Sequence, residues 1–205
     1  MLSKIRYLRP VKILDLACGT GLVTFGLARS IGAESMIVGL DSSRSMLRVA
    51  MKKKHAERGL SCLELICATG EYLPFRNETL DCVTVGLALR NFGDKSAVFS
   101  EAHRTLIGSG WFLSVDFVLP DSPLLRRLYM FHVFNILPTF GRLVSASWHR
   151  TLVYLARSIQ FSVSPDEICR ALAEQDFRLT FTEKITLGIV ALIGGRKQPT
   201  ALSEG

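Results

Sequence analysis

The sequence predicts an α/β fold. It has a mostly parallel sheet of seven strands, one of them antiparallel, with helices on both faces and a helical insertion after the fifth strand. Three observations carry this. Short apolar runs and segments of helical period alternate through the first 118 residues, a rhythm that requires parallel strands joined by crossover helices. The first apolar run passes directly into Asp15-Leu-Ala-Cys-Gly-Thr-Gly21, where Gly19 and Gly21 let the backbone turn sharply and approach a ligand. The next apolar run ends at Asp41, twenty residues after Gly21. A carboxylate at the end of a second parallel strand is placed to take the two hydroxyls of a ribose.

The elements follow in order from the apolar spacing. Strands are expected at Lys12–Leu16, Met36–Asp41, Cys62–Cys67, Leu80–Gly86 and Gly110–Val118. Helices are expected at Leu22–Ser30, Ser43–Arg58 and Lys95–Ile107. The rhythm breaks at Leu119-Pro-Asp-Ser-Pro123, and an apolar, aromatic segment follows, punctuated by Pro138 and Gly141. Ser164-Pro-Asp-Glu167 caps a further helix to about Gln175, with proline in its first turn. Strands at Arg178–Thr186 and Gly188–Gly194 complete the sheet. The whole chain, 1–205, reads as one domain, with 119–163 as a helical cap and 196–205 as a loose tail.

Composition narrows the classes. The chain has 205 residues, of which 48% are apolar, and a mean hydropathy of +0.28. No run reaches the ~18–20 apolar residues of a spanning helix, and the first residues lack a signal-peptide core. A cytoplasmic protein is expected, with its apolar excess in a core, a pocket or a membrane-facing surface. The net charge is +7. Its one dense basic cluster, Arg48 to Arg58, falls on a surface helix and reads as a solvated face. Five cysteines without a C-x-x-C and four scattered histidines give no metal pattern. Cys62, Cys67 and Cys82 are expected in the core, and Cys18 in the turn.

The glycine spacing separates the nucleotide folds. A dinucleotide site wants G-x-G-x-x-G, but Leu22, Val23 and Thr24 follow Gly21. The Gly-Lys-Ser/Thr of a phosphate loop is absent. The run Asp15–Gly21 instead resembles the first motif of class I S-adenosylmethionine (SAM) methyltransferases, a Rossmann-like fold. That resemblance implies that the turn amides and Asp15 hold the methionine end of SAM and that Asp41 holds the ribose.

Further along, Ala68-Thr-Gly-Glu-Tyr-Leu-Pro-Phe75 follows the third strand, and Gly86-Leu-Ala-Leu-Arg-Asn-Phe-Gly-Asp-Lys95 follows the fourth. Leu89-Arg90-Asn91, Tyr129-Met-Phe131, Leu137-Pro138, Phe140-Gly141 and Tyr154–Ile159 resemble the C-methyltransferases of ubiquinone and menaquinone biosynthesis. The likeness runs from Val11 to Lys197. It implies a cofactor-binding set of Asp15, Ala17, Cys18, Gly19, Thr20, Gly21, Asp41, Ser42, Met46, Thr69, Gly70, Glu71 and Gly86. It implies a polyprenyl quinol substrate of demethylmenaquinol type, met by Asn91, Tyr129 and Phe131. Departures stand beside it. Thr69 replaces the family's Asn or Asp, Arg157 a glutamate and Ser162 a proline, and some members carry serine at the position of Gly86. The family also has a longer segment before the first strand, with a tyrosine-bearing helix over SAM. A truncated reading frame, or a lid supplied otherwise, is expected.

Methylating a ring carbon requires a phenolate that pushes electrons to that carbon. The protein must therefore supply a base or a stabilising cation. Arg90 is the candidate cation, since guanidinium does not deprotonate. Asp116 and His132 are the candidate bases. The apolar insertion suits a polyprenyl tail or peripheral contact with a membrane through 124–146, against the plainer reading of a packed helical cap. A homodimer is compatible with the sequence. Nucleic acid is not the expected partner, because the residues after the fourth strand lack the Asn/Asp-Pro-Pro-aromatic motif of enzymes that methylate base amino groups. Other lipid methyltransferases of this core, or a SAM-binding protein without turnover, remain the alternative readings.

Overall fold

A computed structural model describes residues 12–31, 35–57 and 59–199. Its seven strands are β1 (Lys12–Leu16), β2 (Met36–Asp41), β3 (Leu63–Cys67), β4 (Leu80–Gly86), β5 (Leu106–Phe117), β6 (Phe177–Ile185) and β7 (Val190–Lys197). They form one sheet in the order β3-β2-β1-β4-β5-β7-β6. Only β7 runs against its neighbours. The strand order reverses at β1, which lies between β2 and β4. A crevice opens outside the carboxyl ends of strands at such a switch point.

Alternation along the strands divides the core in two. Leu14, Leu16, Val83 and Val85 pack with Val98, Phe99 and Ala102 of α3 (Lys95–Thr105) and Ile168 and Leu172 of α7 (Pro165–Ala173). Ile13, Ile37 and Cys82 pack on the other face with Phe25 and Leu27 of α1 (Leu22–Ile31) and Ala50 of α2 (Arg44–Ala56). Phe99 meets Phe112 edge to face at 5.4 Å. Each such buried side chain stabilises the fold by about 1.5–3 kcal/mol.

The insertion forms α4 (Pro123–Phe131), α5 (Leu137–Val144) and α6 (Ala146–Ile159). A single π-helical turn, His132–Ile136, joins α4 to α5. Pro138 explains it: proline has no N–H for the carbonyl four residues back and clashes with it, and a wider turn relieves both. Val133, Ala156 and Ile159 form the insertion's own small core, resting on Phe117 at the end of β5 and on Leu119 beyond it.

Three expectations are corrected. The third helix stops at Thr105, and β5 begins at once at Leu106, because Leu106 pairs with Leu80 before the register shifts; Ser109 takes a φ of 71° in that irregularity. The expected tail begins later, since Arg196 and Lys197 still belong to β7. Lys197 donates to the Leu106 carbonyl at 2.8 Å and meets Glu78 at 3.2 Å, while Arg196 lies over Trp111. Residues 200–205 lie outside the described residues. Cys82 is in the core, but Cys62 is only half-buried and Cys67, at the last position of β3, is exposed. Among the described residues no helix is long and apolar enough to cross a membrane.

Candidate cofactor crevice and active site

The turn after β1 is built for close approach. Ala17, Gly19 and Gly21 all have positive φ. Cys18 donates its N–H to the Leu40 carbonyl at 3.0 Å, which ties the turn to the end of β2. Asp41 then accepts from the Gly19 amide at 2.7 Å and from the Ser43 amide at 2.8 Å, one on each oxygen. An added Cβ at Gly19 meets nothing within 4 Å, so this position opens directly onto the crevice.

Asp15 sits beneath that turn, 1% exposed. Thr24 of α1 donates to one of its oxygens at 2.6 Å and Thr84 of β4 to the other at 3.0 Å. Burial, partly offset by these hydroxyls, pushes its pKa up to about 6. Asp15 does not line the crevice, so direct contact with a methionine end is replaced by a tie between β1, α1 and β4. Burial, reinforced by Asp15 and Asp41, also pushes the Cys18 thiol up to about 12, which keeps it protonated and unreactive.

The crevice holds about 460 Å³. Its walls include Ala17, Cys18, Gly19, Asp41, Ser42 and Met46 from the first half of the site, and Thr69, Gly70, Glu71, Gly86 and Asn91 from the second. Thr20 and Gly21 shape the turn behind it; the Thr20 carbonyl accepts from Lys53 at 2.9 Å. Gly70 and Gly86 are fixed by packing. A Cβ at Gly70 would lie 2.8 Å from Phe92, and one at Gly86 2.4 Å from Val23. Leu22, Ser43, Leu87, Phe92 and Tyr154 also line the crevice and were not expected. Ser43 was legible as the N-cap of α2. Tyr154 was not, because only the docking of α6 brings it there; its hydroxyl donates to Asn91 Oδ1 at 3.3 Å.

The charges on the walls discriminate between occupants. Among the described residues they include Asp41 and Glu71 but no lysine or arginine. A phosphate would find no cation, whereas a sulfonium, an adenine and a ribose find carboxylates, amides and apolar side chains. The donor set therefore fits SAM.

Arg90 occupies the short 3₁₀ turn Leu89–Asn91 after β4. It is buried, and it pairs with Asp116 at 2.5 Å, both side chains being 5% exposed. It also donates to the Leu87 carbonyl at 2.6 Å and to Ser158 of α6 at 3.1 Å, and lies over the Phe117 ring. Asp116 spends one oxygen on Arg90 and the Phe117 amide; the other is buried without a partner. Burial raises its pKa against the opposing pull of Arg90. The turn faces two ways. Asn91 lines the crevice, while Leu89 and Arg90 line a second, more open cavity of about 660 Å³ with Lys95, Phe161, Ser162 and Glu167.

The remaining candidates are not brought together. Tyr129 is half-buried in the insertion's core, and burial raises its pKa. Phe131 is 58% exposed and His132 is also exposed. None of the three lines the crevice or the second cavity. In α4 and its π turn, Tyr129 and Val133 take the inward positions and turn Phe131 and His132 outward. Asp116 also lines neither cavity. No group of three or more His, Cys, Asp or Glu among the described residues is placed to hold a metal ion.

A family model described as the ubiE/COQ5 methyltransferase family matches residues 2–197. The chain belongs to that family. The methyltransferase is 34% identical over 187 residues to the ubiquinone/menaquinone biosynthesis C-methyltransferase UbiE of a Marinomonas species, covering 90% of this chain and 73% of that one. It is 29% identical to the demethylmenaquinone methyltransferase of Lactiplantibacillus plantarum, covering 91% and 78%. Its fold is similar to a SAM-dependent methyltransferase of Aquifex aeolicus, with TM-score 0.67, 13% identity and coverage of 91% and 81%. A methyltransferase of Bacillus halodurans superposes with TM-score 0.68, 18% identity and coverage of 96% and 97%. The seven-stranded sheet is thus that of Rossmann-like SAM-dependent methyltransferases, and SAM is the cofactor.

Proposed function

We propose that this family member methylates a ring carbon of a polyprenyl quinol of demethylmenaquinol type, with the whole chain acting as one methyltransferase unit and 119–163 as its cap. The observation that carries this reading is the Leu89–Asn91 turn. It separates a crevice whose described walls carry carboxylates and no cation from a second cavity whose wall holds an arginine with a buried side chain.

When bound, SAM supplies a methyl group already activated on a sulfonium. The chain's own work is alignment and exclusion of water. The Gly19 turn and the Asp41 carboxylate would grip the methionine end and the ribose, and Thr69 and Gly70 the adenine. Asp15 is a positioning residue: it holds Thr24 and Thr84, and through them the turn. Arg90 would stabilise the negative charge that develops on the quinol oxygen. Asp116 acts on Arg90 rather than on substrate, since it pairs with the guanidinium and lines neither cavity. His132, on the exposed side of the insertion, takes no part in this arrangement.

The relatives named above support the quinone ring as acceptor. Peripheral contact with a membrane through 124–146 belongs to the same reading, since it would use the insertion's exposed side chains. The test is incubation with labelled SAM and either demethylmenaquinol or a ubiquinol precursor. Label should pass to the demethylmenaquinol ring. No transfer to either quinol, by protein that binds SAM in calorimetry, would sink the reading.

A further inference from the structure

We propose that the insertion is a docking face for an anionic lipid bilayer. The proposal deepens the peripheral contact in the reading above and rests on it only for the identity of the substrate.

The first observation is apolar exposure with helical order. On α4, Leu124, Leu128 and Phe131 are more than half exposed, and their spacing of four and three places them on one stripe. At the end of the π turn Ile136, and on α5 Phe140, Leu143 and Val144, are exposed, Leu143 at 81%, again at spacings that share a face.

The second observation is the π turn between them. At roughly 100° per residue in an uninterrupted α-helix, the two stripes would point about 140° apart. The wider turn takes up one extra residue and removes roughly one such step. The stripes are then about 40° apart and run on as one apolar face along residues 124–144. A cap that only had to cover the sheet would bury that face. Here the burial goes instead to Val133, Ala156 and Ile159 behind it.

The third observation is charge, and it selects the occupant. From Ser122 to Pro165 the chain has no aspartate or glutamate, yet it carries Arg126, Arg127, Arg142, Arg150 and Arg157. These five account for most of the net charge of +7. All five are exposed, and none is in an ion pair among the described residues. Arg127 lies within the α4 stripe, three residues from Leu124, where a long basic stem can lie along apolar surface with its head in water. Apolar side chains at the boundary of the acyl chains and arginines among acidic headgroups are what an interfacial helix requires. A second copy of this chain would place arginine against arginine. A neutral apolar partner would leave the arginines without a role.

The experiment is flotation of the full chain with vesicles of pure phosphatidylcholine and of phosphatidylcholine with phosphatidylglycerol. Binding should appear with the phosphatidylglycerol vesicles and fall steeply with salt, since each arginine near such a surface contributes roughly fivefold to affinity. Arg127→Gln with Arg142→Gln and Arg150→Gln should lower binding by at least tenfold. Leu143→Asp should lower it in both low and high salt. Both variants should keep SAM affinity in calorimetry, which shows that they are folded. Absence of flotation, or equal salt-insensitive binding to both vesicles, overturns the proposal. So does a sedimenting dimer that Leu143→Asp dissolves. Activity on a tail-less quinol is read separately: its loss with vesicle binding intact counts against the reaction and not against the surface.

Discussion

Replacing Arg90 with methionine removes a cation from the most heavily tied point between sheet and insertion. The guanidinium meets Asp116 at 2.5 Å, the Leu87 carbonyl at 2.6 Å and Ser158 at 3.1 Å. Both members of the ion pair are 5% exposed. Methionine fills much of the volume and satisfies none of these acceptors. The Asp116 carboxylate, already one oxygen short of a partner, becomes an uncompensated buried charge, a defect that costs about 3–5 kcal/mol. The sign with pH follows. Burial already raises the Asp116 pKa while Arg90 opposes it, so losing Arg90 raises it further. A carboxylate whose folded pKa exceeds its unfolded value favours the fold while protonated, and that contribution is lost as pH rises through the folded value. The Arg90→Met protein should thus be worst at neutral pH and recover part of the deficit in acid. Urea titrations at pH 7 and pH 5 read this directly. Adding Asp116→Asn removes the stranded charge and should restore about half of the loss at pH 7. A penalty under about 1 kcal/mol at pH 7, or no recovery in the double variant, would refute the reasoning, because Asp116 would then be solvated rather than dependent on Arg90.

Three further expectations concern the crevice. The raised pKa of Asp15, about 6, means that its contribution to stability is full below its unfolded value and declines as pH rises from about 4 to about 6; Asp15→Asn should flatten that part of the urea-stability profile, and an unchanged slope would assign it to another group. Tyr154→Ala should weaken SAM binding about three- to tenfold by calorimetry through loss of an aromatic wall, while Tyr154→Phe, which gives up only a 3.3 Å hydrogen bond, should stay within about threefold; equal losses would show that the hydroxyl matters more than the ring. Thr69→Asn should tighten SAM binding about fivefold by adding an amide able to pair with adenine; an unchanged Kd would mean that the exposed residue 69 does not reach the base.

The βαβ half of the fold was legible because its physics is local. β1, β2 and β4 read as mostly apolar runs since they are buried on both faces, and Asp41 and the glycines mark where the chain must turn around a ligand. The same locality shows why other features were hidden. The Arg90–Asp116 pair joins residues twenty-six apart, and neither residue type announces a buried partner. Gly86 reads as a ligand-facing glycine, yet a Cβ there would strike Val23 of α1, a constraint set by helix packing. The π turn followed from Pro138 only once α4 and α5 were seen to be nearly continuous. Tyr129 and Phe131 rest on a resemblance in the insertion and His132 on the chemistry of its imidazole, but the direction of each side chain depends on the phase of a helix interrupted by that turn.

The sign of the crevice wall also bears on product release. With Asp41 and Glu71 on the wall and no lysine or arginine among the described residues there, the site attracts a sulfonium. Transfer of the methyl group leaves a neutral thioether. The spent donor keeps the ammonium and carboxylate of its amino-acid end but lacks the sulfonium charge, so the fresh donor alone gains that additional Coulomb attraction. A crevice of this sign favours exchange of spent donor for new, and added salt should narrow the difference in affinity between them.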